Sequence, residues 1–191
     1  MNENELKQQI ASLIRSYPDF PTKGILFRLT ILVIVETHLP KTGFLSLKIF
    51  RDVLPLFAKP TLVRSLCLNV ANLYKDKIDI VAGLEARGFL FGPIIALELE
   101  IPFVPIRKQG KLPGSVISAS YQKEYGKDVF EVQEDAFYSG KRVLIVDDLL
   151  ATGGSLLAAE QLVKQSGASV YENFVIIELG DLNGRKVLSS K

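Results

Sequence analysis

The chain is short of the residues from which many active sites are built. Its 191 residues include one cysteine, Cys67, and one histidine, His38. A lone cysteine excludes an intramolecular disulfide and a multi-cysteine metal site, and it suits a reducing compartment. With so little Cys and His, a Cys/His catalytic pair or a zinc site would have to be built almost entirely from carboxylates. No apolar run approaches the roughly 18 residues a membrane span needs, and the stretch MNENELKQQI lacks the apolar centre of a signal peptide. The expectation is a soluble, cytoplasmic protein with no membrane partner. Charge of one sign is equally scarce: a net +2 with no long run of like charges leaves no electrostatic footprint for nucleic acid. Repeats, low-complexity tracts and linkers are absent as well, so residues 1–191 are expected to form a single domain, long enough to bury one sizeable core.

What is present is an ordinary globular balance, 48% apolar and 23% charged. Residues 3–16 place Leu6, Ile10, Leu13 and Ile14 on one helical face. Residues 18–28, PDFPTKGILFR, read as an extended arm because two prolines and a glycine interrupt any helix. Residues 29–50 differ in character: LTILVIV, a turn signal HLPKTG and the alternating FLSLKIF read as an apolar hairpin, which is an aggregation hazard if left uncovered. From Arg51 the pattern turns helical, with Leu62, Leu66, Val70 and Leu73 on one face. Short apolar strands at 78–82, 103–106, 129–132, 143–146 and 170–177 then alternate with helical stretches at 88–100 and after Gly154. Strands spaced by helices predict a mainly parallel α/β sheet covered on both faces, with ligands beyond the carboxyl ends of its strands.

Three loops are expected at that edge. The chain's organising stretch is VLIVDDLLATGGS, residues 143–155. Its apolar run reads as a strand buried on both faces that ends in two acids, Asp147 and Asp148. A small turn, Ala151-Thr152-Gly153-Gly154-Ser155, then opens a helix with Leu156, Ala159, Leu162 and Val163 at helical spacing. Such a turn aims backbone N–H groups and the helix dipole at one point, which suits a phosphate. It carries neither the Gly-Lys-Ser/Thr of a Walker loop nor the Gly-x-Gly-x-x-Gly of a dinucleotide fold. A second loop, Gly83-Leu84-Glu85-Ala86-Arg87-Gly88, would offer N–H groups and a guanidinium to another anion. The third gathers Arg107, Lys108 and Lys111 on a Gly/Pro-containing turn suited to a polyanion. It opens a long polar segment, 107–128, in which Glu124 lies between Tyr121 and Tyr125 and which is long enough to close as a lid.

VLIVDDLLATGGS resembles the 5-phosphoribosyl 1-pyrophosphate binding motif of the type I phosphoribosyltransferases. GLEARGFLFGP, IRKQGKLPG, ASYQKEYGK and IIELGDLNGR are similar to segments of the adenine-specific branch of that family, in the same order and spacing. The resemblance covers nearly all of the chain except 29–50. It implies a type I phosphoribosyltransferase-like fold: a central, mainly parallel sheet flanked by helices, with a small hood formed by the N-terminal arm and the C-terminal segment. The implied reaction is adenine plus phosphoribosyl pyrophosphate giving AMP plus pyrophosphate, with Mg²⁺ as cofactor and a homodimer as the assembly.

Roles follow by resemblance. The 5'-phosphate would sit on Ala151, Thr152, Gly153, Gly154 and Ser155. Asp147 and Asp148 would hold the ribose hydroxyls and, through ribose, diphosphate or water, the metal. The pyrophosphate would meet Glu85, Ala86, Arg87, Arg107, Lys108 and Lys111, with a non-proline cis peptide between Glu85 and Ala86. Glu124 would manage the purine proton, Tyr125 would help close the lid, and adenine would lie between Leu26, Phe27 and Arg28 on the hood side and Leu179 on the other.

One departure stands out. In the family the arm GILFR runs straight into a segment like DVLPL, whereas here GILFR ends at Arg28 and RDVLPLF resumes at Arg51. Either arginine can fill the family's position, since IFR at 49–51 nearly repeats LFR at 26–28. The intervening apolar stretch reads as translated intronic sequence or an alternative gene model rather than an evolved hairpin. The displaced arm supports a second reading, a catalytically impaired phosphoribosyl pyrophosphate-binding isoform or regulator. A different purine or pyrimidine specificity is disfavoured by the EYG lid and the GLEARGF turn together.

Overall fold

A computed structural model describes residues 3–18, 49–123, 126–137 and 139–189. Helix α1 (Glu3–Leu13) buries Leu6 and Ile10 on the expected face, with Ile14 just beyond it. Strand β1 (Arg15–Pro18) pairs antiparallel with β2 (Ile49–Asp52), so the helical pattern expected from Arg51 begins later. A 3-10 turn, Leu54–Ala58, precedes α2 (Pro60–Tyr74). Pro60 suits a first helical turn, where a missing N–H costs nothing. Leu62, Leu66 and Val70 are buried in α2, but Leu73 is exposed, and Tyr74 fills the last buried position instead.

The main sheet holds six strands in the order β5-β6-β4-β3-β7-β8. These are β3 (Ile80–Leu84), β4 (Phe103–Lys108), β5 (Val116–Lys123), β6 (Gly126–Gln133), β7 (Arg142–Leu150) and β8 (Ser169–Glu178). The run β4-β3-β7-β8 is parallel, while β6 pairs antiparallel with both β4 and β5. The sheet is therefore mixed α/β, parallel at its centre and antiparallel at one edge.

Strand β7 explains the architecture. Leu144 and Val146 join an apolar cluster with α1, α2 and α3 (Gly88–Leu99) on one face. Val143 and Ile145 join a second cluster with α4 (Gly154–Gln165) on the other. Successive residues of a strand point to opposite faces, so an unbroken apolar run is what a doubly covered strand requires. Each such Leu or Ile contributes roughly 1.5–3 kcal/mol of burial.

Two expectations change. Strand β7 does not stop at the acids but runs on to Leu150, held by β8 through the register Leu149↔Ile177 and Leu150↔Glu178. The segment 107–128 is not one long loop either: residues 116–123 form β5, paired along its whole length with β6. Ala119 and Tyr121 face the core while Ser118 and Ser120 face out, the period of a half-buried strand. The arm residues Leu26, Phe27 and Arg28, the apolar stretch through residue 48, and the lid residues Glu124 and Tyr125 lie outside the described residues.

Candidate active site

Parallel register sets the site. Gly83 lies beside Val146 and Leu84 beside Ile106, so the carboxyl ends of β3, β4 and β7 release their loops along one edge. The loops at 85–88, 107–111 and 151–155 leave the sheet at that edge: Glu85 bonds Arg107, and Arg87 shares a cavity with residues 151–155.

The phosphate-type turn is built around Gly153. Its φ of +86° lies in the left-handed region, where a side chain is strained, and it immediately precedes the first residue of α4. Its carbonyl accepts the Leu157 N–H at 2.9 Å, starting the helix and leaving the earlier N–H groups facing the pocket end. Arg87, Asp147 and residues 149–156 line one cavity of ≈ 150 Å³. With about 30 Å³ per water in the liquid, that space takes a multi-atom anion rather than a single water.

The two acids part company, as neighbours on a strand must. Asp147 lines the cavity. Asp148 is buried beneath it, its side chain 2% exposed, with Arg87 Nε 2.6 Å from Oδ2. The Asp148 N–H donates to Asp147 Oδ1 at 2.9 Å. Burial, and then the neighbouring Asp148 charge, push the Asp147 carboxyl well above the usual carboxylate range, against the lowering pull of the Asp148 N–H and Arg87. Asp148 Oδ1 is buried with no hydrogen-bond partner among the described residues. Carboxylate oxygen is the hard donor a small divalent cation takes, with Asp147 on the cavity wall and an unsatisfied Asp148 oxygen behind it. No group of three or more His, Cys, Asp or Glu able to hold a metal occurs among the described residues, so such a cation would need water or substrate for its remaining ligands.

The Glu85-Ala86 peptide is cis, as the resemblance implies. The Glu85 carboxylate itself is occupied: it accepts from Arg107 Nε at 3.1 Å and from the Lys108 N–H at 3.1 Å. Arg107 Nη1 also donates to the Lys111 carbonyl at 2.9 Å. Desolvation raises the Glu85 pKa, but the Lys108 N–H and the Arg107 hydrogen bond and charge outweigh it, and the net shift is downward. Of the three cations foreseen on this turn, Arg107 is thus tied into the scaffold. Lys108 is half exposed, 3.8 Å from Asp128 Oδ2, and Lys111 is exposed.

Leu179 is 2% exposed, packed in the larger apolar cluster, with its N–H donating to the Leu150 carbonyl. It supports the end of β7 rather than opening onto a ligand. Two contributors escaped the sequence reading. Buried Glu131 accepts the Gly110 N–H at 2.9 Å and so tethers the basic turn. Gly184 packs against the phosphate-type turn: a Cβ on Gly153 would stand 2.5 Å from the Gly184 carbonyl oxygen, and one on Gly184 would collide with the Ala151 carbonyl oxygen. The NGR at 183–185 was the available signal, a glycine beside the left-handed Asn183.

The phosphoribosyl transferase domain family matches residues 56–186. The adenine phosphoribosyltransferase of Caenorhabditis elegans is 48% identical over 188 residues, covering 97% of this chain and 89% of that protein. That of Mus musculus is 45% identical, covering 98% and 93%. The Saccharomyces cerevisiae enzyme, solved with an imino-altritol bisphosphate and adenine, superposes with a TM-score of 0.81 at 40% identity over 98% of this chain and 96% of that one. The Trypanosoma brucei enzyme, solved with AMP, pyrophosphate and ribose-5-phosphate, gives 0.77 at 30% identity over 98% and 73%.

Proposed function

The chain belongs to the phosphoribosyl transferase family, and on that premise we propose how its residues carry out the transfer of a phosphoribosyl group from phosphoribosyl pyrophosphate to adenine in purine salvage. The observation that carries the reading is the shared cavity: Arg87, Asp147 and the turn that opens α4 line one space. A phosphorylated ribose needs these groups together, donors for the 5'-phosphate at one end and an acceptor for hydroxyls beside a cation.

The N–H groups of residues 151–155, with the hydroxyls of Thr152 and Ser155, bind the 5'-phosphate. Asp147, on the cavity wall, accepts from the ribose hydroxyls. Arg87, Lys108 and Lys111 take the diphosphate, and Arg107 and Glu85 hold the turn that presents those lysines. Asp147 and Asp148 would hold Mg²⁺ through water or substrate oxygens. The ion, when bound, neutralises charge on the leaving diphosphate.

Displacement at C1' places positive charge on the ribose ring as the diphosphate departs. The protein's task is to orient adenine for attack, stabilise the leaving group and keep water out. Leu26, Phe27 and Arg28 form the hood over the base, Glu124 takes the purine proton and Tyr125 closes the lid. A single domain over 1–191, a homodimer and a cytoplasmic location complete the proposal. Among the described residues no helix is long and apolar enough to cross a membrane. Nothing here favours the impaired-regulator alternative.

The test is a steady-state assay with labelled adenine, hypoxanthine and guanine in the presence of magnesium and phosphoribosyl pyrophosphate. AMP is the expected product, and Glu124→Gln should lower kcat by about 100- to 10,000-fold with smaller changes in KM. Tight phosphoribosyl pyrophosphate binding without AMP formation would remove the catalytic reading.

A further inference from the structure

We infer that the C-terminal segment, residues 179–189, is a clasp that sets the shape of the phosphate turn, and that Glu160 and Ser189 are the positioning residues that fasten it. The inference rests on the 5'-phosphate reading of residues 151–155 and adds to it the device that holds them.

The segment is fixed at both ends and touches the turn between them. At its start, the Leu179 N–H donates to the Leu150 carbonyl at 2.8 Å, and Arg185 Nε reaches back to Glu178 Oε2 at 2.7 Å. Its far end is fastened by Glu160, a carboxylate on α4 with no exposed surface. Glu160 Oε2 accepts the Ser189 N–H at 3.1 Å and the Ser189 hydroxyl, while Oε1 accepts Asn173 Nδ2 of β8 at 2.8 Å. Lys164, one turn further along α4, lies 3.6 Å from the same carboxylate.

A buried carboxylate is costly unless its oxygens are met, and here Oε2 is met by the Ser189 N–H and hydroxyl, which holds that segment in place. Between the fastenings, two 3-10 turns meet at Asn183 and lay Gly184 on the turn. Its main chain comes so close to Ala151 and Gly153 that neither glycine leaves room for a Cβ. Gly153 holds its left-handed conformation under this cover. Glu160 belongs to the helix the phosphate turn begins, so one rigid element carries both the turn and the anchor of its clasp.

Loosening the clasp should spoil phosphate binding and spare adenine. In Ser189→Ala and Gly184→Ala, exchange of the 152–155 amides should rise by about tenfold or more over wild type. The KM for phosphoribosyl pyrophosphate should rise by about fivefold or more, with the KM for adenine within about twofold. Ser189→Ala keeps the Ser189 N–H bond to Glu160 and is the milder variant should Gly184→Ala fold poorly. Lower melting temperatures with wild-type exchange at 152–155 and an unchanged phosphoribosyl pyrophosphate KM would reduce the contacts to general stability and overturn the inference. If wild type bound no phosphoribosyl pyrophosphate, the phosphate reading would fall, while amide exchange would still decide whether the clasp orders the turn.

Discussion

Arg107 and Glu85 face each other across the mouth of the site, Nε to Oε2 at 3.1 Å, and the pair holds the basic turn against the first loop. If Arg107 serves as scaffold, both Arg107→Met and Glu85→Gln should raise the KM for phosphoribosyl pyrophosphate, by about 3- to 10-fold for a partly exposed charged hydrogen bond. A direct diphosphate ligand behaves differently, because Glu85→Gln would then free the guanidinium and lower KM. Opposite signs for the two variants would return Arg107 to the role the sequence first suggested.

Asp79 secures the other end of the sheet. Its carboxylate accepts from Arg142 N, Nε and Nη2 at 2.8–3.1 Å, tying the starts of β3 and β7 together. The Arg142 hydrogen bonds lower the Asp79 pKa from 3.8 to about 2. A depressed carboxylate pKa stabilises the fold above the ordinary value, and that contribution is lost as pH falls toward 2. Partial exposure limits the effect to about 1 kcal/mol at neutral pH. Urea melts of Asp79→Asn should show this deficit at pH 7 and a vanishing difference from wild type near pH 2. Turnover at pH 7 should not change, because the pair sits at the opposite edge from the site.

How far the sequence spoke for the molecule depends on where a residue's partners lie. Residues 143–146 were legible because burial on two faces leaves a local mark, an unbroken apolar run. The two acids were legible as chemistry but not as geometry. Strand continuation to Leu150 depends on pairing with β8, and that pairing turns Asp148 under Arg87 while Asp147 faces the cavity. Residues 116–123 passed for loop because Ser, Tyr, Gln and Lys outweighed the alternation of Ala119 and Tyr121. The NGR at 183–185 marked a turn at Gly184 but not its contact, and Glu160 was silent, since a segment that folds back on a distant turn announces the contact in neither neighbourhood.

Helix α3 bears on assembly. It buries Phe91, Ile95 and Ala96, and Leu90 and Ile94 pack half-buried against the same apolar cluster, yet Leu97 stands 78% exposed. A helix apolar on all sides is ordinarily covered on all sides, and a second copy is the cover the proposed homodimer supplies. Leu97→Glu should weaken self-association by about 100-fold or more, since roughly 1.5–3 kcal/mol of burial is lost from each copy. Sedimentation velocity over a dilution series reads the shift. An unchanged association constant would place the dimer face elsewhere.

The apolar stretch before β2 invites the sharpest test, because β1–β2 pairing states what must survive its removal. Tyr17 lies opposite Phe50 and Ser16 opposite Arg51. Deleting residues 29–51 joins Arg28 to Asp52 and supplies Leu26, Phe27 and Arg28 where Ile49, Phe50 and Arg51 stood. The strand is rebuilt with one change, Ile to Leu, a swap worth less than about 1.5 kcal/mol. Deleting 26–48 instead keeps the original three residues, so the two products differ at that position alone, and the choice between Arg28 and Arg51 loses its consequence. Both deletions should give more soluble protein, because an apolar strand-forming run is gone, with kcat/KM for adenine at least equal to that of the full chain. Loss of activity in both would mean that residues 29–48 are a working part of the enzyme and not an interruption of it.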